Sequence, residues 1–110
     1  MKYYVAITIG RNVGNKPMPA QHWGAFTWEI GKTIQKHAQI DGVIFSGDGL
    51  GVWDKVGERA HAYIVLADNV DQPALRKDLA GLAKKYKQDA VGCAILDLPN
   101  GDESLVYADK

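Results

Sequence analysis

The order of strand-like and helix-like segments constrains the fold of this 110-residue chain more than any other feature. Residues 2–9 are rich in β-branched and aromatic side chains and end at Gly10, which predicts a strand. Apolar side chains then recur at three- and four-residue spacing over residues 19–38, which predicts an amphipathic helix with Gly42 as its stop. The predicted buried stripe of this helix is Trp23, Phe26, Thr27, Ile30, Ile34 and His37.

The rest of the chain adds strands around a second helix. Residues 43–67 predict two strands that are joined by "DKVG". Residues 68–89 predict a helix with Asp71 as its N-cap, and residues 90–98 predict a fourth strand. "PNGD" then predicts a turn, and residues 104–108, "SLVYA", predict a short edge strand. The predicted buried stripe of the second helix is Leu75, Leu79, Leu82 and Tyr86.

The resulting order, β-α-β-β-α-β, is typical of the α+β fold called ferredoxin-like, or split β-α-β. In that fold an antiparallel sheet carries both helices on one face, and the first and third strands are neighbours. The short C-terminal strand is an extra element. The chain is long enough to bury a core without disulfides or metal, so residues 1–110 are expected to form a single domain.

Glycines at alternate positions in "FSGDGLGVW", residues 45–53, allow two interpretations: a phosphate-binding loop or a bent strand. A phosphate loop needs a helix N-terminus directly behind its glycines, because the exposed N–H groups of that terminus hold the anion. A strand follows these glycines instead. We therefore expect Gly47, Gly49 and Gly51 to form a bulged, sharply twisted strand.

One face of the predicted sheet carries no helix, and strand alternation assigns residues to this open face. In the first strand the open-face set is Tyr4, Ala6 and Thr8, and the helix-face set is Val5, Ile7 and Ile9. In the third strand the open-face set is His61, Tyr63 and Val65, and the helix-face set is Ala60, Ala62, Ile64 and Leu66. An open face this aromatic predicts an interface, either a homodimer or a ligand site between two sheets.

The sequence contains no pattern of a metal site, a cofactor site or a nucleophile. His22, His37 and His61 lack the spacing of metal ligands, and Cys93 lies inside an apolar strand, which favours a buried thiol. No metal, no cofactor and no catalytic residue are therefore predicted.

Only one group of side chains is suited to acid–base chemistry. It is His61 with Tyr63 and Tyr4 on the open face, together with Asp48 or Glu58 near the hairpin. This group would act in a cavity that a dimer encloses. Aromatic side chains buried in a filled dimer interface are the simpler interpretation.

Charge and one tryptophan bear on the choice of partner. Thirteen basic and thirteen acidic residues cancel, so the chain has no overall attraction to nucleic acid or to an anionic membrane. Trp28 lies about 140° from Trp23 around the helix, off the buried stripe, beside Gly24 and Gly31. Small neighbours let another surface approach, and tryptophan is enriched at binding hot spots. Packing under the terminal hairpin is the alternative for Trp28.

The second helix carries a basic face opposite its leucines, which could meet an acidic protein or nucleic acid but is usually solvated. This patch is Arg76, Lys77, Lys84 and Lys87. The sheet lacks the basic and aromatic pattern of RNA-binding relatives of this fold, so nucleic acid is disfavoured.

A set of short motifs spans residues 3–91: "YYVAITIG", "HWGAF", "GDGLGVW", "GERAHAYIVLAD" and "LAKKYKQDAV". The set resembles a small ferredoxin-like bacterial domain family of unknown function, with its W-x-x-F helix, G-x-W strand and Y-x-Q-[DE]-x-V junction. "GRNVGNKPMP" resembles small hypothetical proteins of actinobacterial phages. The chain departs from the family in the proline-containing segment after the first helix, which it lacks, and we expect it to lack the secretory leader of many members. The resemblance implies no catalytic residue; the family positions that it implies are Trp23, Phe26, Gly51, Trp53, Glu58 and Gln88.

These observations favour a non-enzymatic binding protein over an enzyme. The expected protein is a cytoplasmic homodimer, without a membrane anchor, that also engages another protein; if it is a phage accessory protein, it acts in the host cytoplasm on a host or phage protein. The expected partner-binding residues are Trp28, Tyr4, His61 and Tyr63. The alternative is a small dimeric α+β-barrel-type enzyme or small-molecule binder with an inter-sheet cavity around His61.

Overall fold

The computed structural model describes residues 2–53, 55–98 and 108. Over these residues the chain forms two helices and six strands. In chain order they are β1 Lys2–Gly10, β2 Asn12–Val13, β3 Lys16–Pro17, α1 Ala20–His37, β4 Ala38–Trp53, β5 Val56–Val70, α2 Gln72–Lys85 and β6 Gly92–Leu98. The α+β class is therefore confirmed. The predicted "PNGD" turn and all but the last residue of the predicted "SLVYA" strand lie outside the described residues.

The four long strands form an antiparallel sheet in the order β4-β5-β1-β6. β1 lies between β5 and β6, with Val5 opposite Val65 on one side and Ile95 on the other. The predicted pairing of the first and third strands is thus confirmed, and the arrangement is ferredoxin-like. β2 and β3 form a small hairpin in the segment between β1 and α1, with Gly14 at a φ of 63° that favours glycine.

Both helices pack on one face of the sheet, where their apolar stripes meet β1 and β5. Phe26 of α1 is fully buried and stacks on Tyr86, with the ring centroids 4.5 Å apart. Asp71 is the N-cap of α2, as predicted, because its side chain accepts a hydrogen bond from the Ala74 N–H. The largest fully buried side chains are Phe26, Ile7, Ile30, Ile34, Leu75 and Val5.

The end of α1 lies within one residue of the prediction, but the segment that follows it differs. The helix stops at His37, and β4 begins at Ala38 rather than after Gly42. The His37 carbonyl accepts a hydrogen bond from the Asp71 N–H (2.8 Å), so the start of α2 holds the end of α1. The chain therefore enters the sheet without a loop, and the β4–β5 hairpin is longer than the sequence predicts.

The predicted bulge at the glycines of β4 is also wrong. Gly47, Gly49 and Gly51 pair in continuous register with β5, and the register shifts lie earlier, between residues 39 and 45. That earlier part of β4 follows α1 directly. At Gly47 the absence of a side chain relieves crowding instead, because a Cβ there would lie 3.2 Å from the Phe45 ring.

The alternation that the sequence suggested for the third long strand, β5, is reversed. Val65 is buried, and the Tyr63 hydroxyl donates a hydrogen bond to the Thr27 carbonyl of α1. Residues directly opposite in an antiparallel pair share a face, so Tyr63, opposite buried Ile7, lies on the helix face, and so does His61. The open face carries Tyr4, Ala6 and Thr8, as predicted, together with Ala60, Ala62, Ile64 and Leu66.

Two carboxylates tie α1 to α2. Glu29 accepts hydrogen bonds from the Tyr86 hydroxyl and from Lys85 Nζ (2.9 Å). Asp78 Oδ2 lies 2.6 Å from His37 Nε2. The hydrogen bonds from Tyr86 and Lys85 lower the pKa of Glu29, and the hydrogen bond from His37 lowers the pKa of Asp78.

Acid should weaken this contact between the helices. A carboxyl group whose pKa is lower in the folded state adds stability above its unfolded pKa, and that stability is lost as the pH falls through its folded pKa. We expect the urea concentration at the unfolding midpoint to fall when the pH is lowered below about 5. In the double variant Glu29→Gln, Asp78→Asn it should fall less steeply with pH. Asp97→Asn on the exposed part of β6 is the control, and equal pH slopes in all three proteins would contradict the prediction.

Candidate functional site

A cleft of about 430 Å³ lies where the end of the sheet meets the β2–β3 hairpin and the segment that follows α2. Sites for small molecules have volumes of about 300–1,000 Å³, so the cleft has the size of a ligand site. Much of its wall is backbone, because Gly10, Gly14, Gly51 and Gly92 line it. The polar side chains along it are Thr8, Asn12, Asn15, Glu58, Lys87, Gln88 and Asp89.

The Glu58 carboxylate is half-buried in this cleft. Its Oε2 accepts a hydrogen bond of 2.9 Å from the Asn12 N–H. Gly10 makes room for it, since a Cβ at that position would lie 2.5 Å from Glu58 Cδ. Among the described residues no basic side chain forms an ion pair with Glu58. The Glu58 carboxylate is therefore held by one described hydrogen bond and forms no described ion pair, and Lys87 is the basic side chain that also lines the cleft.

Gln88 holds the same wall of the cleft from the other end. Its Nε2 donates a hydrogen bond of 2.9 Å to the Asn12 carbonyl, and its own N–H donates to the Ala83 carbonyl at the end of α2. Lys87, directly before it, has a φ of 57°, which turns the chain out of the helix. The backbone of Asn12 is thus bound by two side chains that lie 46 and 76 positions further along the chain.

Three of the positions that the family resemblance implies meet in this cleft: Gly51, Glu58 and Gln88. Trp23 and Phe26 lie in the helix layer instead, and the Trp53 side chain is outside the described part of the chain. Sequence reasoning grouped Glu58 with His61 and gave Gln88 no role. Glu58 and Gln88 are both positions that the family resemblance implies, and this was the signal from which a common site could have been predicted.

A second polar cluster lies on the helix side of the β4–β5 hairpin. His61 Nδ1 is 2.7 Å from Asp48 Oδ1, and His61 Nε2 is 3.3 Å from Ser46 Oγ. The ring lies edge-on to Trp23 and Tyr63. Burial, and then the charge of Asp48, raise the pKa of the Tyr63 hydroxyl.

The outcome for the predicted acid–base group is mixed. The structure brings His61, Tyr63 and Asp48 together, as the sequence suggested, but Tyr4 lies on the opposite face of the sheet and Glu58 in the cleft. The His61 ring lies on the helix face of the sheet, against Trp23 of α1, and not on the open face where the sequence placed it. Ser46 was missed, although its place two residues before Asp48 puts both side chains on one face of a strand.

The remaining predicted surfaces lie apart from one another. Trp28 is 63% exposed, and Lys32 Nζ lies 5.4 Å from the centroid of its ring. Gly31 faces Tyr63 rather than Trp28. The basic residues divide. Arg76 and Lys84 line a neighbouring groove between α2 and β6, which shares residues 88–91 with the Glu58 cleft. Lys87 borders the Glu58 cleft, and Lys77 is exposed on α2.

Cys93 lines the groove between α2 and β6 and is half-buried. Burial raises the pKa of its thiol, which disfavours the reactive thiolate. Within the described ranges, no three His, Cys, Asp or Glu side chains form a group that could hold a metal ion. Over the same residues, no helix has the length and apolar character needed to cross a membrane.

No protein-family model matches the chain, and no curated protein does. Solved structures that are similar to it include the following two. A DUF3240 family protein from Shewanella baltica OS155 has a TM-score of 0.57 and 13% sequence identity, over 88% of this chain and 90% of that chain. A phage SAM lyase in complex with S-methyl-5'-thioadenosine has a TM-score of 0.56 and 15% identity, over 87% of this chain and 81% of that chain. At these identities the likeness shows the fold alone.

Proposed function

We propose that this chain is a small-molecule-binding protein whose site is the Glu58 cleft. The observation that carries the proposal is the position of the Glu58 carboxylate in a cleft of ligand size. The Asn12 N–H donates a hydrogen bond to this carboxylate, and the absence of a side chain at Gly10 leaves room for it. Ligand sites are usually concave and contain a small number of polar groups that point into the same space. The same cleft contains three of the positions that the family resemblance implies, Gly51, Glu58 and Gln88, which supports it as the site.

The ligand class that we propose is a small cation, because the Glu58 carboxylate forms no described ion pair and attracts a positive group. S-adenosylmethionine is such a molecule, since its sulfonium and ammonium groups are cationic. Two further observations support this choice. The similar phage SAM lyase was solved with a nucleoside thioether. The segment that resembles phage proteins, residues 10–19, also supplies Gly10, Asn12, Gly14 and Asn15 to the cleft.

Calorimetric titration with S-adenosylmethionine tests the proposal. Glu58→Gln keeps the shape of the side chain but removes its charge, and hydrogen bonds to charged groups contribute about 1.5–3 kcal/mol. We therefore expect the affinity for S-adenosylmethionine to fall about 10- to 100-fold. The affinity for the neutral S-methyl-5'-thioadenosine should change little.

Glu29→Gln is the matched control, because it makes the same change in the helix layer, away from the cleft. Chromatography of the titrated sample also reports any conversion of S-adenosylmethionine to S-methyl-5'-thioadenosine. No binding to the unaltered protein, or equal affinities in the Glu58 and Glu29 variants, would contradict the proposal.

A second candidate function is that of a non-enzymatic binding protein, such as a phage accessory protein in the host cytoplasm. The exposed Trp28 favours it, as do the exposed Phe45 and Leu96 on the open face of the sheet. A second copy of this chain suits the open face, because that face is apolar and the chain has no net charge to repel a copy. His61 and Tyr63 do not belong to that surface, since they pack against α1.

A further inference from the structure

We propose that Ser46, His61 and Asp48 form a nucleophilic site in which Ser46 accepts an acyl group from a small activated ester. This site is separate from the Glu58 cleft and does not depend on the function proposed above. The geometry is that of a serine–histidine–aspartate triad, with the carboxylate on one imidazole nitrogen and the hydroxyl on the other.

The three side chains converge because of the pairing of β4 with β5. Asp48 is directly opposite His61, and Ser46, two residues earlier, is opposite Tyr63. Alternation along β4 puts Ser46 and Asp48 on the same face, beside the His61 ring. The convergence is therefore a property of the hairpin backbone and needs no unusual conformation.

The surroundings of His61 fix the ring in one orientation. Asp48 Oδ1 accepts a hydrogen bond from the Nδ1–H, and in this tautomer Nε2 is the acceptor for the Ser46 hydroxyl. The edge-on contacts with Trp23 and Tyr63 hold the plane of the ring. The His61 side chain is 16% exposed, whereas Ser46 is exposed, so the base is sheltered and the hydroxyl is open to a substrate.

In the proposed reaction the oxyanion that acyl transfer creates lies at the outer edge of β4. It is the outer strand of the described sheet, and β5 pairs with only one of its edges. In an antiparallel strand every second N–H points to the other edge. Such an N–H can donate a hydrogen bond to an oxyanion.

The chemical step balances without a co-reactant other than water. Ser46 Oγ bonds to the acyl carbon while its proton passes to His61 Nε2, and the ester C–O bond breaks as that proton passes to the leaving oxygen. Water then attacks the acyl-serine with His61 as the base. This second step releases a carboxylic acid and restores the Ser46 hydroxyl.

Diisopropyl fluorophosphate is a suitable probe, because Ser46 Oγ would bond to phosphorus, fluoride would leave and the proton would pass to His61. Peptide mass spectrometry then compares Ser46 with Ser104, which is the only other serine of the chain. We expect Ser46 to be modified at least about 100-fold faster than Ser104, the lower range of general-base catalysis. Equal rates at the two serines would overturn the proposal.

Variants separate an activated serine from one that is merely exposed. His61→Gln and Asp48→Asn should each slow modification of Ser46 by at least about tenfold, and Ser104→Ala should not change it. Asp48→Asn keeps the imidazole in place, so it decides the question if His61→Gln does not fold by circular dichroism. Hydrolysis of p-nitrophenyl acetate should disappear in Ser46→Ala. Hydrolysis that survives this change, or a modification rate that survives Asp48→Asn, would overturn the proposal.

Discussion

Replacing Phe26 with alanine should lower the free energy of unfolding by about 3–5 kcal/mol, the usual cost of deleting a buried aromatic ring. Phe26 has no exposed surface and stacks on Tyr86, so the variant loses a ring contact and leaves a cavity between α1 and α2. The matched change, Trp28→Ala on the same helix, should cost about 0.5 kcal/mol or less, because Trp28 is mostly exposed. Urea unfolding measures both.

The same pair of variants tests the second candidate function. A tryptophan at a binding hot spot contributes about 2 kcal/mol or more, so Trp28→Ala should weaken association in sedimentation experiments while it leaves the monomer stable. A large loss of stability in Trp28→Ala would show that Trp28 belongs to the core. Unchanged association of a stable Trp28→Ala protein would remove the best residue of that surface.

Replacing Gly10 with alanine should abolish most ligand affinity at little cost to the fold. A Cβ at this position would overlap the Glu58 carboxylate, which is the end of a flexible side chain and is able to move away. We therefore expect a loss of affinity for S-adenosylmethionine of about 10-fold or more, comparable to that of Glu58→Gln. Calorimetric titration measures the affinity, and thermal unfolding measures the fold.

Gly24→Ala is the matched control, because nothing lies within 4 Å of a Cβ there. Alanine at this position in α1 should raise stability by about 0.5–1 kcal/mol and leave ligand affinity unchanged. If Gly10→Ala binds as tightly as the unaltered protein, the position of Glu58 does not matter to the ligand, and the proposed site is wrong.

The helix layer could be predicted from the sequence because its signal is periodic. Phe26, Ile30 and Ile34 recur at helical spacing, and all three are buried. The phase of β5 could not be predicted in the same way. Both of its alternating sets contain large apolar side chains, so composition does not say which set faces the helices. The pairing of β5 with β1 fixes the phase, for example where Tyr63 lies opposite Ile7.

The Glu58 cleft could not be predicted from the spacing of apolar residues, for a different reason. Glu58 and Gln88 meet because each binds the backbone of Asn12, and backbone contacts leave no trace in the residue type of the partner. The Ser46–His61–Asp48 cluster follows from strand alternation once the register of the β4–β5 hairpin is known. The missing step there was the register of the hairpin, which the sequence leaves open.

The hold on Asn12 has a consequence for how this protein can vary in sequence. Glu58 accepts a hydrogen bond from the Asn12 N–H, and Gln88 donates one to the Asn12 carbonyl. Every amino acid has the backbone carbonyl, and nineteen of the twenty have the backbone N–H. These two hydrogen bonds therefore place no demand on the side chain at position 12, which lines the cleft. Proline is the exception, because it has no N–H. A substitution at position 12 can thus change which ligand the cleft binds while the backbone of the wall keeps its position.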